Sequence, residues 1–230
     1  TGVDALLQAG EYQFGPGNSQ ADILQMLVDG EVLQYRITFI EGWRFSDVMG
    51  ALSSAPGLKI TLDGLTAEEL AAALGLEVSN PEGMLHPDTY FYARGTTDLE
   101  LLRRARQRQE VILKSQWEKR LGALPFTSSY EALTLASIIE KESNAQSERG
   151  RIAGVFIRRL EQGMRLQSDP TVIYGLGREF DGDLTRLQLQ TPTPYNTYRM
   201  NGLPPTPISL PGESSIFASL NPDSGDSLYF

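Results

Sequence analysis

The sequence contains no cysteine, one histidine and no long apolar run, and each absence excludes a class of protein. Without cysteine the chain has no disulfide, no thiolate nucleophile and no cysteine–zinc site. The single histidine, His86, rules out a histidine-rich metal centre and argues against a Ser–His catalytic triad. No window approaches the roughly 18 consecutive apolar residues of a membrane-spanning helix. These residue types predict neither a bound metal nor a cofactor.

Common nucleotide-binding and hydrolase motifs are also missing. There is no Gly-x-Gly-x-x-Gly, no Walker A loop, no His-Glu-x-x-His and no Gly-x-Ser-x-Gly elbow. The net charge of −9 argues against nucleic-acid binding. Residues 1–100 carry four Lys or Arg against fifteen Asp or Glu, whereas residues 101–230 are nearly balanced. This charge asymmetry predicts two regions with different tasks. The catalytic chemistry that the missing motifs and residue types leave open is that of carboxylate side chains.

The first half of the chain predicts an α+β fold. Alternating residues predict strands at 11–14 and 35–40, and each is followed by a turn and an amphipathic helix. Ser19 caps the first of these helices, Ser46 begins the second, and Thr66 caps a third. The length of 230 residues, 40% of them hydrophobic, is sufficient for a buried core. Since the chain does not begin with Met, we expect a portion of a longer protein.

The second half predicts a mostly helical region with long irregular connections. The segment 81–92 contains two prolines and a glycine, and we expect a loop there. Seven of the thirteen prolines lie between Pro192 and Pro222, and long ordered loops of this kind usually shape sites. Residues 227–230 predict the start of a strand. Helices are predicted at 98–121, 130–144 and 148–161, with a helical turn at 169–174.

Glu140 is the candidate catalytic residue. Together with Leu133, Ala136 and Ser137 it follows the i, i+3, i+4, i+7 spacing of a core-facing helical stripe. The small side chains one turn before it leave space for a ligand. A carboxyl group between apolar walls has its charged form destabilised, as a general acid working near neutral pH requires.

The same pattern has a purely structural interpretation. A glutamate near the end of a helix can pair with a cation, and Arg149 and Arg151 follow nearby in the sequence. Glu142 lies about 200° around the helix from Glu140 and is expected to face solvent. Spacing alone leaves the catalytic and structural interpretations of Glu140 open.

Other acidic and aromatic residues are weaker candidates. Asp169 precedes a proline and is expected to cap the helical turn that it begins. Glu82 and Asp88 flank an aromatic loop, where bonding within the turn is the commoner role. His86 is expected to be structural. Tyr90, Phe91, Tyr92, Tyr174, Tyr195 and Tyr198 are of the type that stacks on sugars but also fills ordinary cores.

Several long segments carry a family resemblance. Those of the second half are Leu135–Glu142, Glu148-Arg149, Ala153–Ile157, Arg159-Leu160, Gly163–Gly175, Thr191–Tyr198 and Gly202–Pro205. The first half adds Glu41-Gly42 and Pro87–Tyr90. In this order, and over nearly the whole chain, they resemble the YceG-like family of endolytic murein transglycosylases.

This resemblance implies a lytic transglycosylase that cleaves the β-1,4 bond between N-acetylmuramic acid and N-acetylglucosamine in peptidoglycan. No water is added, and the product ends in 1,6-anhydro-muramic acid. The family's catalytic glutamate falls on Glu140, the residue that the helical spacing also selects. The family's motif positions make Gln167, Asp169, Tyr195 and Asn196 the expected sugar contacts.

The resemblance also implies a domain organisation and a location. Residues 1–55 would form a LysM-like glycan-binding module, 56–97 a connecting region with an aromatic loop, and 98–230 a catalytic domain that is incomplete at its C-terminus. The family implies a bacterial inner-membrane protein with one spanning helix, which this chain lacks, and a periplasmic domain. Cell-wall synthases are the implied partners, and limiting nascent strand length is the implied role.

Two other functions remain open from the sequence. A conventional glycan hydrolase would use the same acid with a second carboxylate, Glu142 or Asp169, to activate water. A non-catalytic peptidoglycan-binding or scaffold protein would keep Glu140 as a structural residue. Anhydro ends, reducing ends and binding without cleavage distinguish the three functions.

Overall fold

The computed structural model describes residues 10–120 and 122–230, which form nine α-helices and one two-stranded sheet. The predicted α+β class is confirmed. No helix in these described ranges is both long and apolar enough to cross a bilayer. In chain order the elements are α1 (Gln20–Asp29), β1 (Gln34–Thr38), α2 (Phe45–Ser53), α3 (Ala67–Ala73), β2 (Thr89–Ala93), α4 (Asp98–Glu118), α5 (Ser129–Glu142), α6 (Gln146–Glu161), α7 (Asp169–Leu176), α8 (Arg186–Gln190) and α9 (Glu213–Leu220).

The antiparallel sheet joins β1 to β2, with Ile37 opposite Tyr90. The prediction of a loop throughout 81–92 is therefore wrong for its last residues. Tyr90 and Tyr92 are buried while Phe91 between them is exposed, which is the two-residue alternation of a strand with one buried face. The prolines of this segment all precede Thr89, so they do not interrupt the pairing.

The predicted strand at 11–14 is also wrong, because this segment is irregular. The backbone N–H of Leu33 donates to the carbonyl of Glu11 at 2.7 Å, but within the described residues no ladder of such bonds forms along 11–14. The helix after it begins as predicted, since Ser19 and Asp22 form a reciprocal capping box. The cap could therefore be predicted from neighbouring residues, whereas strand pairing depends on a partner that is distant in the sequence.

Three clusters of buried apolar side chains lie within the described residues, and the smallest, with Leu113 and Ile216, joins α4, α5 and α9. The first lies between the sheet, α2, α3 and the start of α4, and includes Phe39, Leu52 and Leu101. The second lies between α5, α6 and α9 and includes Ile138 and Phe156. Helix α5 is buried along most of its length, which makes it a rigid support for the side chains near its end.

Some predicted helix ends and irregular segments differ from the structure. Thr97 caps α4, and Asp98, the first residue of this helix, accepts hydrogen bonds from Thr61 and Leu62. The proline-rich stretch is irregular as predicted but ends in α9, which the sequence analysis missed. Residues 227–230 form no strand with the rest of the described chain.

Candidate active site

Glu140 lies in the last turn of α5 and is 7% exposed. Leu133, Ala136 and Ser137 of the same stripe are fully buried, so the predicted core-facing position of Glu140 is confirmed. Because α5 packs against both α6 and α9, the carboxyl group is supported from several sides. The stripe therefore places one polar group, the carboxyl group of Glu140, at the edge of an apolar core.

The carboxylate of Glu140 has two direct partners. Arg149 Nη2 donates to Oε1 at 2.7 Å, and the backbone N–H of Gly212 donates to Oε2 at 2.9 Å. Arg149 itself is 4% exposed and also donates to Ser214. The structural interpretation of the sequence, in which Glu140 pairs with Arg149, therefore describes a contact that is present. This contact does not exclude a catalytic role, since catalytic carboxylates also need to be held in place.

Glu41 is a second carboxylate at this site, and the sequence analysis did not select it as a site residue. Its Oε2 lies 3.8 Å from the Arg149 nitrogen that binds Glu140, and its side chain is half exposed. A Cβ added to Gly212 would lie 2.0 Å from Glu41 Oε1, so a larger residue at this position would displace the Glu41 carboxylate. The Glu41-Gly42 turn was quoted only as part of a motif, and no local signal showed what it contacts.

The proline-rich segment brings Gly212 and the turn at Glu41 to the end of α5. The hydroxyl of Ser137 accepts the N–H of Ile208 at 2.9 Å. Leu210 donates its N–H to Trp43 at 2.7 Å and accepts the N–H of Gly42 at 2.8 Å. The segment is therefore held between α5 and the turn after β1, which agrees with the expectation that a long ordered loop shapes the site.

Glu142 does not face solvent as predicted. It is partly buried and accepts a hydrogen bond from Ser168 Oγ, just before α7. Burial raises the pKa of Glu142, the Ser168 bond opposes this rise, and the nearby charge of Asp169 adds to it. Glu142 does point away from Glu140, but α7 covers that side of α5. The periodicity of residues within α5 cannot predict which other helix packs against it.

Asp169 and Gln167 lie beside this second cluster. The predicted capping role of Asp169 is wrong, because it is the first residue of α7 and its carboxylate accepts from Tyr198 Oη at 2.6 Å. Gln167 is exposed, and its φ of 55° is in the left-handed region that non-glycine residues rarely adopt. Both side chains can reach a ligand, and their role in sugar contact stays a prediction.

Asn196 and Tyr195 occupy different surroundings. Asn196 is fully buried, and its amide donates to the carbonyls of Gln188, Leu189 and Thr191. Its side chain therefore holds the loop together in this conformation. Tyr195 is partly exposed and contacts the ring of Tyr174, with 4.8 Å between the centroids. The four predicted sugar contacts therefore do not form one group around Glu140.

Glu82 is a buried glutamate whose surroundings the sequence did not reveal. It is 4% exposed and accepts the N–H of Phe45 at 2.9 Å and Tyr174 Oη at 3.2 Å. Burial raises its pKa to about 7, although these two hydrogen bonds and the charge of Arg44 oppose the rise. The predicted turn role does not describe it, since its main partners come from other elements.

His86 lies buried against Gln109, with 3.0 Å between Nδ1 and Oε1, which fits the structural role expected for it. Burial lowers its pKa. Within residues 10–120 and 122–230, no group of three or more His, Asp or Glu side chains is arranged to hold a metal ion.

Comparisons with known proteins identify similar chains. An endolytic murein transglycosylase of Bacillus subtilis strain 168 is 34% identical over 97% of this chain and 66% of its own length. One from Streptococcus pneumoniae D39 is 28% identical over 97% of this chain and 46% of its length. The chain thus spans about two thirds of the first relative and about half of the second.

The fold matches a solved structure as well. A 2.6 Å crystal structure of a YceG-like protein from Listeria monocytogenes superposes with a TM-score of 0.69 at 31% identity, covering 99% of this chain and 80% of that one. The family model described as the YceG-like family matches residues 1–230. Because this match extends over every residue of the chain, the protein belongs to the YceG-like family.

Proposed function

We propose that this chain is the endolytic murein lytic transglycosylase part of its protein, with Glu140 as its acid and base. One observation supports this most directly: the buried carboxyl group at the end of α5 belongs to a chain whose relatives are named for this activity. The bond cleaved would be the β-1,4 bond between N-acetylmuramic acid and N-acetylglucosamine, and the product would carry a 1,6-anhydro ring.

The proposed reaction needs one carboxyl group. Protonated Glu140 gives its proton to the glycosidic oxygen, and that oxygen keeps the electron pair of the breaking bond to C1. The C6 hydroxyl of the same muramic residue then attacks C1 while the Glu140 carboxylate accepts the hydroxyl proton. The carboxyl group is thereby regenerated in its protonated form. Because the nucleophile is intramolecular, no second carboxylate is required to activate water.

Arg149 has opposite effects on the two halves of this reaction. Its guanidinium donates to Glu140 Oε1 at 2.7 Å and so holds the group that accepts the C6 proton. The donating half requires this contact to weaken, and Glu41, which also faces Arg149, offers a second acceptor. We infer that bound glycan shifts Arg149 between the two carboxylates.

The test is digestion of purified peptidoglycan, followed by mass spectrometry of the released chain ends. The wild type is expected to give ends lighter by one water, and Glu140→Gln to lower the rate by roughly 10²–10⁴-fold. Glu161→Gln, an exposed glutamate on α6, is the matched control and should retain full activity. Binding of sacculi without cleavage by any of these proteins would favour a scaffold.

A hydrolase is the second candidate, and the geometry adds one observation in its favour. Glu41 and Glu140 both approach Arg149, so a second carboxylate does lie beside the candidate acid. Glu142 and Asp169, the residues considered from the sequence, form a separate cluster with Ser168. Reducing ends in the digest, lost on substitution of one of these carboxylates, would establish hydrolysis.

The remaining expectations are proposals about the whole protein. Murein lies outside the cytoplasmic membrane, so we infer that this portion acts there, tethered to the inner membrane and able to meet cell-wall synthases. Limiting strand length and the LysM-like role of residues 1–55 belong to the same proposal. The division at 56–97 and 98–230 would separate roles rather than folding units, since one core includes both Ile37 and Leu101.

A further inference from the structure

A cleft of about 630 Å³ lies beside Glu82 rather than at Glu140. One wall comes from the beginnings of α2 and α3 and the loop before α3, and includes Ser46 and Ala67. The facing wall carries Asn80, Glu82, Tyr174 and Tyr195. The cleft therefore joins the first half of the fold to the α7 region.

The polar and aromatic groups of this cleft suit a sugar. Arg44 lies over the ring of Tyr174, 5.2 Å from its centroid, so Tyr195, tilted by 60° to Tyr174, is the ring that can present an apolar face to the C–H side of a pyranose. Asn80 Oδ1 already accepts the N–H of Glu82 at 3.0 Å, and an amide oxygen can accept one further hydrogen bond. Glu82, which titrates near neutral pH, can either donate to or accept from a hydroxyl or acetamido group. A cleft with a few converging polar groups among apolar ones is the usual form of a small-ligand site.

The cleft is close enough to Glu140 for one glycan strand to reach both. Gly42 lies beside Glu140, since a Cβ added to Gly42 would be 3.9 Å from Glu140 Cγ. The backbone N–H of Phe45 donates a hydrogen bond to Glu82. Three residues of chain separate the Cα atoms of Gly42 and Phe45 by at most about 11 Å. The two glutamates therefore lie within the length of a short stretch of glycan.

We propose that the cleft lined by Asn80, Glu82, Tyr174 and Tyr195 is an additional subsite for an N-acetylhexosamine of the glycan strand. This inference rests on the proposed function, since it assumes that glycan binds at Glu140. The subsite would hold the strand at a distance from the bond that is cleaved. It predicts that long strands bind more tightly than short ones.

The experiment fills the cleft and measures strand binding. Ala67→Trp places a large side chain in the cleft from an exposed position, and Glu68→Trp adds the same side chain next to it, outside the cleft. Both substitutions are made in the Glu140→Gln protein, so that the strand is not consumed. The probe is peptide-free glycan strands released by an amidase and sorted by length, and binding is measured by calorimetry.

We expect Ala67→Trp to weaken the binding of long strands by about tenfold, which corresponds to about 1.4 kcal/mol. Short strands that reach only Glu140 should bind equally to all variants, and Glu68→Trp should behave like its parent. Ser46→Trp, on α2, fills the cleft from another element and should repeat the loss. Equal affinity of long strands for Ala67→Trp, Ser46→Trp and the parent would overturn the subsite.

The outcomes separate this inference from the proposed function. Cleavage by the wild type together with unchanged strand binding in Ala67→Trp and Ser46→Trp overturns the subsite alone. Failure of the Glu140→Gln protein to bind any strand, with no cleavage by the wild type, overturns both. If only strands that retain their stem peptides lose affinity in Ala67→Trp, the cleft binds peptide, and the sugar subsite is wrong.

Discussion

Glu140 and Glu82 are both buried glutamates, but their partners differ. Glu140 faces the guanidinium of Arg149 and one backbone N–H. Glu82 faces a backbone N–H and a tyrosine hydroxyl, and no ion pair joins it to another residue that the structure describes. Burial of a carboxylate is costly unless a cation or several donors compensate for the lost water. Glu140 therefore depends on its ion pair with Arg149. Glu82, in contrast, is a carboxyl group that exchanges a proton near neutral pH.

Arg149→Met should produce the largest effect on stability. It leaves Glu140 buried without its cation, and the expected loss is about 3–5 kcal/mol of unfolding free energy. The double variant Arg149→Met/Glu140→Gln should recover much of this loss, because no unpaired charge remains. Urea unfolding of the four proteins of this cycle measures both values. Equal stability of the single and double variants would show that the pair is not what stabilises this region.

Glu82→Gln tests the other side of the comparison through pH. Between its ordinary value of 4.5 and about 7, the folded protein keeps a proton on Glu82 that the unfolded chain has lost. The folded state binds more protons in this window, so Glu82 lowers stability as pH rises through it, by at most about 3 kcal/mol. The Gln variant has no such loss, and its stability relative to the wild type should rise from pH 4.5 to 7 and then level off.

The measurement is urea unfolding at several pH values between 4 and 8. Glu77→Gln removes an exposed negative charge in the same part of the chain and serves as the control. A difference between Glu82→Gln and wild type that is flat across the window would mean that folding does not shift the pKa of Glu82.

Glu41→Gln should have the smallest effect on stability, because its carboxylate is half exposed and 3.8 Å from Arg149. After solvent screening we expect a few tenths of a kcal/mol. Its effect on the reaction is more informative. A transglycosylase should keep forming anhydro ends, whereas a hydrolase that uses Glu41 to activate water should lose its reducing ends. Mass spectra of the digests distinguish the two results.

The α5 stripe and the caps at Ser19 and Thr66 were predicted correctly because their causes are local, although the equally local prediction of a cap at Asp169 was wrong. The α5 stripe and the capping boxes at Ser19 and Thr66 depend on residues within one or two turns of each other. The same locality explains the errors. Residues 89–93 became a strand through pairing with β1, about fifty positions earlier, and Glu142 was covered by α7, which begins well after it.

The sequence by itself determined that a glutamate near the end of α5 would face the core, and its motifs identified the family. Tertiary structure decided what that glutamate touches, since Gly212 is 72 residues away and comes from a loop pinned to Ser137. It also decided that Glu82 would be buried between Phe45 and Tyr174. Helical periodicity sets the direction of a side chain relative to its own helix, but desolvation and ion pairing depend on which distant segment packs against it.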